Sequence, residues 1–258
     1  MRNKVLLVGI DGVRRDVLER IATPHIDAIA KRGGRKAIDI DERCRTISGP
    51  MWTTILTGAF PERHGVEDNR HPPESRVPDV FSRLAMAGKI HMPIAATSWP
   101  PLTSRAGCGP IIDPSLVRVY TAPLVKEDFE AYFEGDIKVR DAAVEFLSIA
   151  EVDAAFVYFG LVDEVGHSEG VGHSYAKALQ RCDEHVGIVM EALSARADRD
   201  DWSVVVTTDH GHVDAGGHGG SSAGECEIWA LSDSEPLLSL ITGPQDIAAA
   251  IESVYGRD

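Results

Sequence analysis

Three short segments carry the residues on which chemistry can be built. They are Asp11 within GIDG, Asp163 and His167 within VDEVGH, and Asp209, His210 and His218 within TTDHGHVDAGGHGG. A single aspartate caps a helix or opens a turn as readily as it binds a cation. An Asp and a His four positions apart face one ion when the backbone between them is helical or tightly turned. Asp209 and His210, with His218 downstream, lie in a glycine-rich stretch where backbone can approach an ion closely. Mixed carboxylate and imidazole donors suit Zn2+, with Mn2+ the alternative. Each cluster follows an apolar run, and three such clusters together are poorly explained as caps. The same region holds a competing pattern. Gly166-His167-Ser168-Glu169-Gly170 reads as the G-x-S-x-G of a serine hydrolase, with Asp209 and His218 following in triad order. That reading puts Ser168 several residues past the end of its strand, whereas the elbow needs the serine directly at the strand-to-helix turn. It also leaves Asp11 and Asp163 without a role.

The elements that must position these residues follow from the apolar patterning. Residues 5–10, 154–160 and 202–207 are continuous apolar runs, as expected of strands buried on both faces. Asp11, Asp163 and the Asp209-His210 pair sit at or just past their ends. Further strands are expected over 36–40, 89–96 and 227–231. Helices are expected over 16–31 with an interruption at Thr23-Pro24, and over 50–58, 79–87, 126–150 with a break near Gly135, 174–196 and 244–255. Residues 98–123, rich in Pro, Gly and Ser, read as a long loop excursion near the site. Strands alternating with helices give an α/β fold with a largely parallel central sheet, and such sheets bind ligands beyond the carboxyl ends of their strands. No repeat or linker divides the 258 residues, so one domain over 1–258 is expected.

Composition narrows the function classes. Lys and Arg number 26 against 40 Asp and Glu, a formal net charge of −14. No nucleic-acid-binding surface is expected from that balance. A small anionic substrate is still admitted, because a metal site supplies its own positive field. The four cysteines form no CxxC pair, which argues against a disulfide framework or a thiolate zinc site. The apolar run near the N-terminus ends in Asp-Gly rather than a cleavage site, and no stretch reaches the roughly 20 apolar residues of a membrane span. A cytoplasmic protein with no membrane association is expected. No pattern assigns an oligomeric state.

The opening strand-Asp-Gly, the segment TPHIDAIAKRG, the block LTGAFPERHGVEDN and the pairs DxxGH and DHG together resemble the alkaline phosphatase superfamily. Within it they are similar to the nucleotide pyrophosphatase/type I phosphodiesterase branch. The resemblance extends over most of the chain. It implies a three-layer α/β sandwich and two divalent cations. Asp11, Asp209 and His210 would hold one cation together with the nucleophile, and Asp163, His167 and His218 the other. Counting nine residues back from Thr57 of Thr57-Gly58 places the nucleophile at Ser48, with Thr46 the alternative if the register slips. A metal ion and a helix N-terminus would both favour the alkoxide form of such a serine. Asn69, 21 residues after Ser48, matches an amide that donates to a phosphoryl oxygen. Tyr158 matches an aromatic that stacks on a substrate group.

Two departures bear on the substrate. Gly49 stands where nucleotide-handling members often have an aromatic residue, and the chain is short for the superfamily. The sulfatase pattern is poorly met as well: Trp52 stands where it wants Arg, which argues against formylglycine at Ser48. Asn69 and the lack of an obvious phosphate-clamping Arg favour, within what the resemblance implies, a hydrolase of phosphate diesters or pyrophosphates acting through a phosphoserine. A phosphomonoesterase or phosphonate hydrolase is the alternative, depending on whether Arg45 points inward. His64, His71, His173 and His212 are given no metal role.

Overall fold

The computed structural model describes residues 3–74, 76–123 and 129–256. In chain order the first half runs β1 (Lys4–Ile10), α1 (Arg15–Leu18), α2 (Pro24–Gly33), β2 (Gly34–Asp39), α3 (Ser48–Thr57), α4 (Pro61–His64), α5 (Val80–Met86), β3 (Pro93–Thr97) and β4 (Arg118–Thr121). The second half runs α6 (Phe129–Leu147), β5 (Ala154–Phe159), α7 (Leu161–Glu169), α8 (His173–Ser194), β6 (Trp202–Thr207), α9 (Ala223–Cys226), β7 (Glu227–Ser232), α10 (Glu235–Ser239) and α11 (Asp246–Val254).

The seven strands form one sheet in the order β2-β7-β6-β1-β5-β3-β4. Every pairing from β6 to β4 is parallel, and β7 is the one reversed strand, antiparallel to both β6 and β2. Helices α2, α6, α7 and α8 pack together on one side, and α3, α5 and α11 on the other. This is the α/β three-layer arrangement expected. The strands β5 and β6 are buried at every residue, which is why their sequences are unbroken apolar runs rather than alternating ones.

The three central strands decide where the site lies. β1 pairs with β5 on one side and β6 on the other, in register from Gly9 to Tyr158 and Thr207. Parallel neighbours end at the same level, so Asp11, Asp163 and Asp209 emerge side by side over one edge of the sheet.

Several expected elements needed correction. The region 98–123 is not one loop. Its last residues form β4, which extends the sheet beyond β3 by parallel pairing from Arg118 to Thr121. The expected strand at 89–96 begins only at Pro93, after a turn held by Asp153, whose carboxylate accepts from the His91 and Met92 backbone N–H groups. α6 runs through Gly135 without a break, because the flanking apolar residues continue one packed face; Lys126, where that helix was expected to start, lies outside the described residues. Leu161–Glu169, which patterning alone did not identify, is a helix.

Candidate metal centre

Asp11 is almost fully buried at the end of β1, and two side chains hold one of its oxygens. The Trp52 indole N–H donates to Asp11 Oδ2 at 2.8 Å and the Tyr158 hydroxyl donates to the same atom at 2.5 Å. Asp11 Oδ1 has no hydrogen-bond partner, and neither does Asp209 Oδ2, although both are buried. Buried carboxylate oxygens are rarely left in that state. Both face His210 Nε2, at 3.6 and 3.2 Å, and Ser48 Oγ lies 3.3 Å from the same nitrogen. The ligand atoms of Asp11, Asp209 and His210 lie within 4.8 Å of one another.

The second group is built from α7 and the loop after β6. Asp163 and His167 are one helical turn apart on α7, so the i, i+4 spacing puts them on one face. His167 Nε2 lies 3.4 Å from Asp163 Oδ2, and His218 Nε2 lies 3.6 Å from Asp163 Oδ1 and 2.9 Å from His167 Nε2. Two imidazole nitrogens that close, both aimed at one carboxylate, are the arrangement a shared cation needs.

The ring tautomers support both groups. His210 Nδ1 lies 3.1 Å from the Gly211 carbonyl and His218 Nδ1 lies 2.6 Å from the Thr46 carbonyl. A carbonyl only accepts, so both rings carry their proton on Nδ1 and present an Nε2 lone pair to the centre. Burial pushes both below the usual histidine range, which keeps them neutral and able to ligate.

Two of the three carboxylates shift upward. Burial, and then the charge of Asp163, pushes Asp11 up to about 7. Burial, Asp11 and Asp163 push Asp209 up as well. Asp163 is held down, since hydrogen bonds from His167 and His212 outweigh its own burial. Two buried acids and a third, partly buried one repel one another unless positive charge lies between them, and a divalent cation supplies that charge. The residues therefore fit two metal ions.

Ser48 is the first residue of α3 and is 5% exposed. It lines a cavity of about 150 Å³ with Asn69, Trp99, Tyr132, Glu164 and His167 among its walls. Asn69 reaches this place because its Oδ1 accepts from the Gly49 backbone N–H at 2.7 Å. A Cβ on Gly49 would come 2.8 Å from the Asp68 carbonyl and 2.9 Å from Asn69 Oδ1. The glycine after Ser48 is thus required by the approach of Asn69.

The other residues singled out in the sequence take positions that bring several corrections. Tyr158 lines the cavity but is 2% exposed, with its ring edge-on to Trp52 at 5.4 Å. Burial and the Asp11 charge keep its hydroxyl protonated, so it orients Asp11 rather than offering a face for stacking. Thr46 is buried and ties down the 218–220 loop: its hydroxyl donates to the Gly220 carbonyl and accepts from the Gly219 N–H, both at 2.9 Å. Ser168 sits exposed within α7, and its hydroxyl donates to the Glu164 carbonyl of its own helix at 3.0 Å. No strand-to-helix elbow places it, and the serine-triad reading fails on that geometry. Arg45 is exposed and lines a separate depression with Arg43, Pro50 and Glu62. His64 is buried against Thr54 and the Val66 N–H, His71 pairs with Asp68 at the surface, and His173 opens α8 in an exposed position.

Sequence reasoning missed the residues that hold the ligands. Trp52 was noted only for what it replaces. Asp136, fully buried on α6, accepts from Ser98 Oγ at 2.6 Å and from the Gly160 and Leu161 N–H groups at 3.0 Å each. It thereby fixes the start of α7, the helix that carries Asp163 and His167. Neither residue has a local pattern, because each contact spans distant parts of the chain.

Comparison with known proteins agrees with the geometry. Residues 5–222 match the family model for type I phosphodiesterase / nucleotide pyrophosphatase. Human ectonucleotide pyrophosphatase/phosphodiesterase family member 7 is 26% identical over 232 residues, covering 81% of this chain and 48% of that protein. Human family member 5 is 24% identical over 226 residues, covering 81% and 45%. The chain thus spans about half the length of the curated relatives it matches. Among solved structures, murine ectonucleotide pyrophosphatase/phosphodiesterase 5 superposes with a TM-score of 0.61 at 22% identity, over 81% of this chain and 57% of that one. A 2-O GAG sulfatase superposes with a TM-score of 0.76 at 13% identity, over 100% and 71%; both likenesses show the fold. With 218 residues matched to one family model, the metal-ligand clusters inside the matched span and the sheet shared with its solved members, the chain belongs to the type I phosphodiesterase / nucleotide pyrophosphatase family of the alkaline phosphatase superfamily.

Proposed function

We propose that this protein hydrolyses phosphate diesters or pyrophosphates with Ser48 as nucleophile and two divalent cations, Zn2+ before Mn2+, as cofactors. The observation that carries the reading is the convergence of two orphaned buried oxygens, Asp11 Oδ1 and Asp209 Oδ2, on His210 Nε2 beside Ser48 Oγ. Asp11, Ser48, Asp209 and His210 would hold one cation, and Asp163, His167 and His218 the other. Bound there, the cations supply the positive field that favours an ionised serine and balances charge on the phosphoryl oxygens.

The chain's own groups do the rest. Ser48 Oγ attacks phosphorus in line with the leaving oxygen; the new Ser48–phosphorus bond forms as the bond to the leaving group breaks, and the leaving oxygen takes up a proton. Asn69 uses Oδ1 on the Gly49 N–H, so its amide N–H groups are left to donate to a phosphoryl oxygen as charge builds there. Water then attacks the phosphoserine from the opposite side and restores Ser48. No arginine lines the cavity among the described residues, and a monoester's second charge calls for such a clamp, so the diester is favoured. The relatives' names and the complex of the murine neighbour's inactive form with AMP support a phosphate ester of nucleotide type.

The test is a rate panel of bis-nitrophenyl phosphate, nitrophenyl phosphate, a nitrophenyl phosphonate and nitrophenyl sulfate on metal-loaded protein. Fastest turnover of the diester is expected. Ser48→Ala should remove turnover and Ser168→Ala should not, and Ser48 should carry phosphate when the reaction is quenched in acid. Retained turnover in Ser48→Ala sinks the assignment.

A further inference from the structure

His212 is fully buried at the centre of the site and none of the roles above uses it. Its Nε2 lies 2.8 Å from Asp163 Oδ1, and with Asp163 and His210 it forms a third group whose ligand atoms are close enough to hold an ion. The opposite ring nitrogen decides between ligand and support. The Gly217 backbone N–H donates to His212 Nδ1 at 3.1 Å. A backbone N–H only donates, so Nδ1 carries the lone pair and the ring proton is on Nε2. That proton points at Asp163. His212 therefore has no lone pair to offer a cation on the Asp163 side.

The ring also occupies a space that two glycines leave open. A Cβ on Gly166 would lie 2.7 Å from both His212 Cε1 and Nε2. A Cβ on Gly12 would lie 2.8 Å from Nε2 and 2.7 Å from Asp163 Oδ1, and Gly12 has a φ of +70°. The Tyr175 hydroxyl holds this turn from beneath, donating to the Gly12 carbonyl and accepting from the Arg14 N–H. Gly12, in the turn after β1, and Gly166, inside α7, thus flank one imidazole. With Oδ1 held by that imidazole, Asp163 Oδ2 faces His167.

We propose that His212 is the positioning residue of the second cation site: its Nε2–H fixes the Asp163 carboxylate, and Gly166 is glycine because the ring needs the space of its side chain. This rests on the two-cation reading. Hydrogen-bonded supports of metal ligands typically contribute roughly 10–100-fold in metal affinity.

The experiment is a calorimetric Zn2+ titration of stripped protein, with bound metal counted by mass spectrometry, for wild type, His212→Ala, His212→Gln, Gly166→Ala and the Gly166→Ala/His212→Ala double variant. Expected are two ions in wild type and a loss of roughly 10–100-fold at one site only in His212→Ala. The glutamine variant, whose amide N–H can donate to Asp163, should recover part of that loss. Gly166→Ala, which displaces the ring, should reproduce the His212→Ala defect, and the double variant should be no weaker than the weaker single one. Wild-type affinity at both sites in His212→Ala overturns the proposal, as does additivity in the double variant. So does a glutamine variant as weak as the alanine one. A wild-type protein that binds fewer than two ions overturns the two-cation reading itself, independently of His212.

Discussion

At the scale of single residues, the site depends on side chains that present ligands as much as on the ligands. Asp11 is the clearest case. One oxygen is held by Trp52 and Tyr158, which leaves the other aimed at His210. Trp52→Phe and Tyr158→Phe each remove one donor from a buried carboxylate while keeping most of the ring volume. Each should weaken cation binding at the Asp11 site by roughly 10–100-fold, read by titration calorimetry. Each should also lower stability of the metal-free protein by about 1–3 kcal/mol, read by urea unfolding. An unchanged affinity in both variants would show that the ligand rotamer is set by the backbone alone. Gly49 shows the same dependence in reverse. Adding a Cβ pushes against Asn69 and the Asp68 carbonyl, so Gly49→Ala should lower kcat through displacement of Asn69 while leaving the bound-metal content, counted by mass spectrometry, the same as in wild type.

At the scale of elements, α7 matters most, because one helix delivers both Asp163 and His167. Its start is fixed from α6 by the Asp136 carboxylate, which burial pushes up to about 6. Asp136→Ala leaves the Leu161 N–H buried without its acceptor, at a cost of about 1–3 kcal/mol, while the Gly160 N–H keeps the Ser98 hydroxyl at 3.1 Å. The expected outcome is a lower melting temperature together with selective loss of the site built from α7, while the Asp11 site keeps its ion. α8 carries a different constraint. His185 is 2% exposed, packs 5.7 Å from Phe159, and neither ring nitrogen has a hydrogen-bond partner. Burial, helped by Arg140 and Arg181, lowers it to about 4. The unfolded chain then takes up this proton first as pH falls. Its contribution to stability is complete above about 6.5 and is lost between about 6.5 and 4, amounting to about 3 kcal/mol. His185→Phe should flatten the stability profile in that window relative to wild type, measured by denaturant unfolding at several pH values. Parallel profiles for the two proteins would exclude His185 as the source.

At the scale of the whole molecule, the site exists because three parallel strands end together. β1 lies between β5 and β6, so residues 11, 163 and 209, which are far apart in sequence, meet over one sheet edge. Cations held there, as proposed, would tie three strands and two helices together, and the folded state alone would assemble their ligands. Chelation should therefore lower the melting temperature of the whole sheet in one transition. Restoring Zn2+ at a hundred times its dissociation constant should recover about 2.7 kcal/mol per site. Calorimetry that shows the same transition with and without chelator would contradict the coupling of site and fold.

Much of this was legible from sequence for physical reasons that can be stated. Buried parallel strands demand unbroken apolar runs, so β1, β5 and β6 were visible, and their ends marked Asp11, Asp163 and Asp209. β4 was not, since four half-exposed residues after a Pro- and Gly-rich stretch carry no period. α7 was not, because a nine-residue helix with its ligands at the surface of a cavity has no clean apolar stripe. The ligand types, their spacing and the positions of Ser48 and Asn69 are properties of the chain as written, because local geometry and a family pattern both act over short intervals. Which oxygen of Asp11 is free, which nitrogen of His212 carries the proton, and why residues 12, 49 and 166 are glycine were decided only by tertiary structure. Nearly all rest on contacts across 20 to about 200 residues, made by atoms that no local pattern brings together; the His212 tautomer also needs the Gly217 N–H five residues on, brought round by the turn between them. The six Asp and His side chains that the structure brings into clusters were readable in the sequence; the side chains that aim them were not.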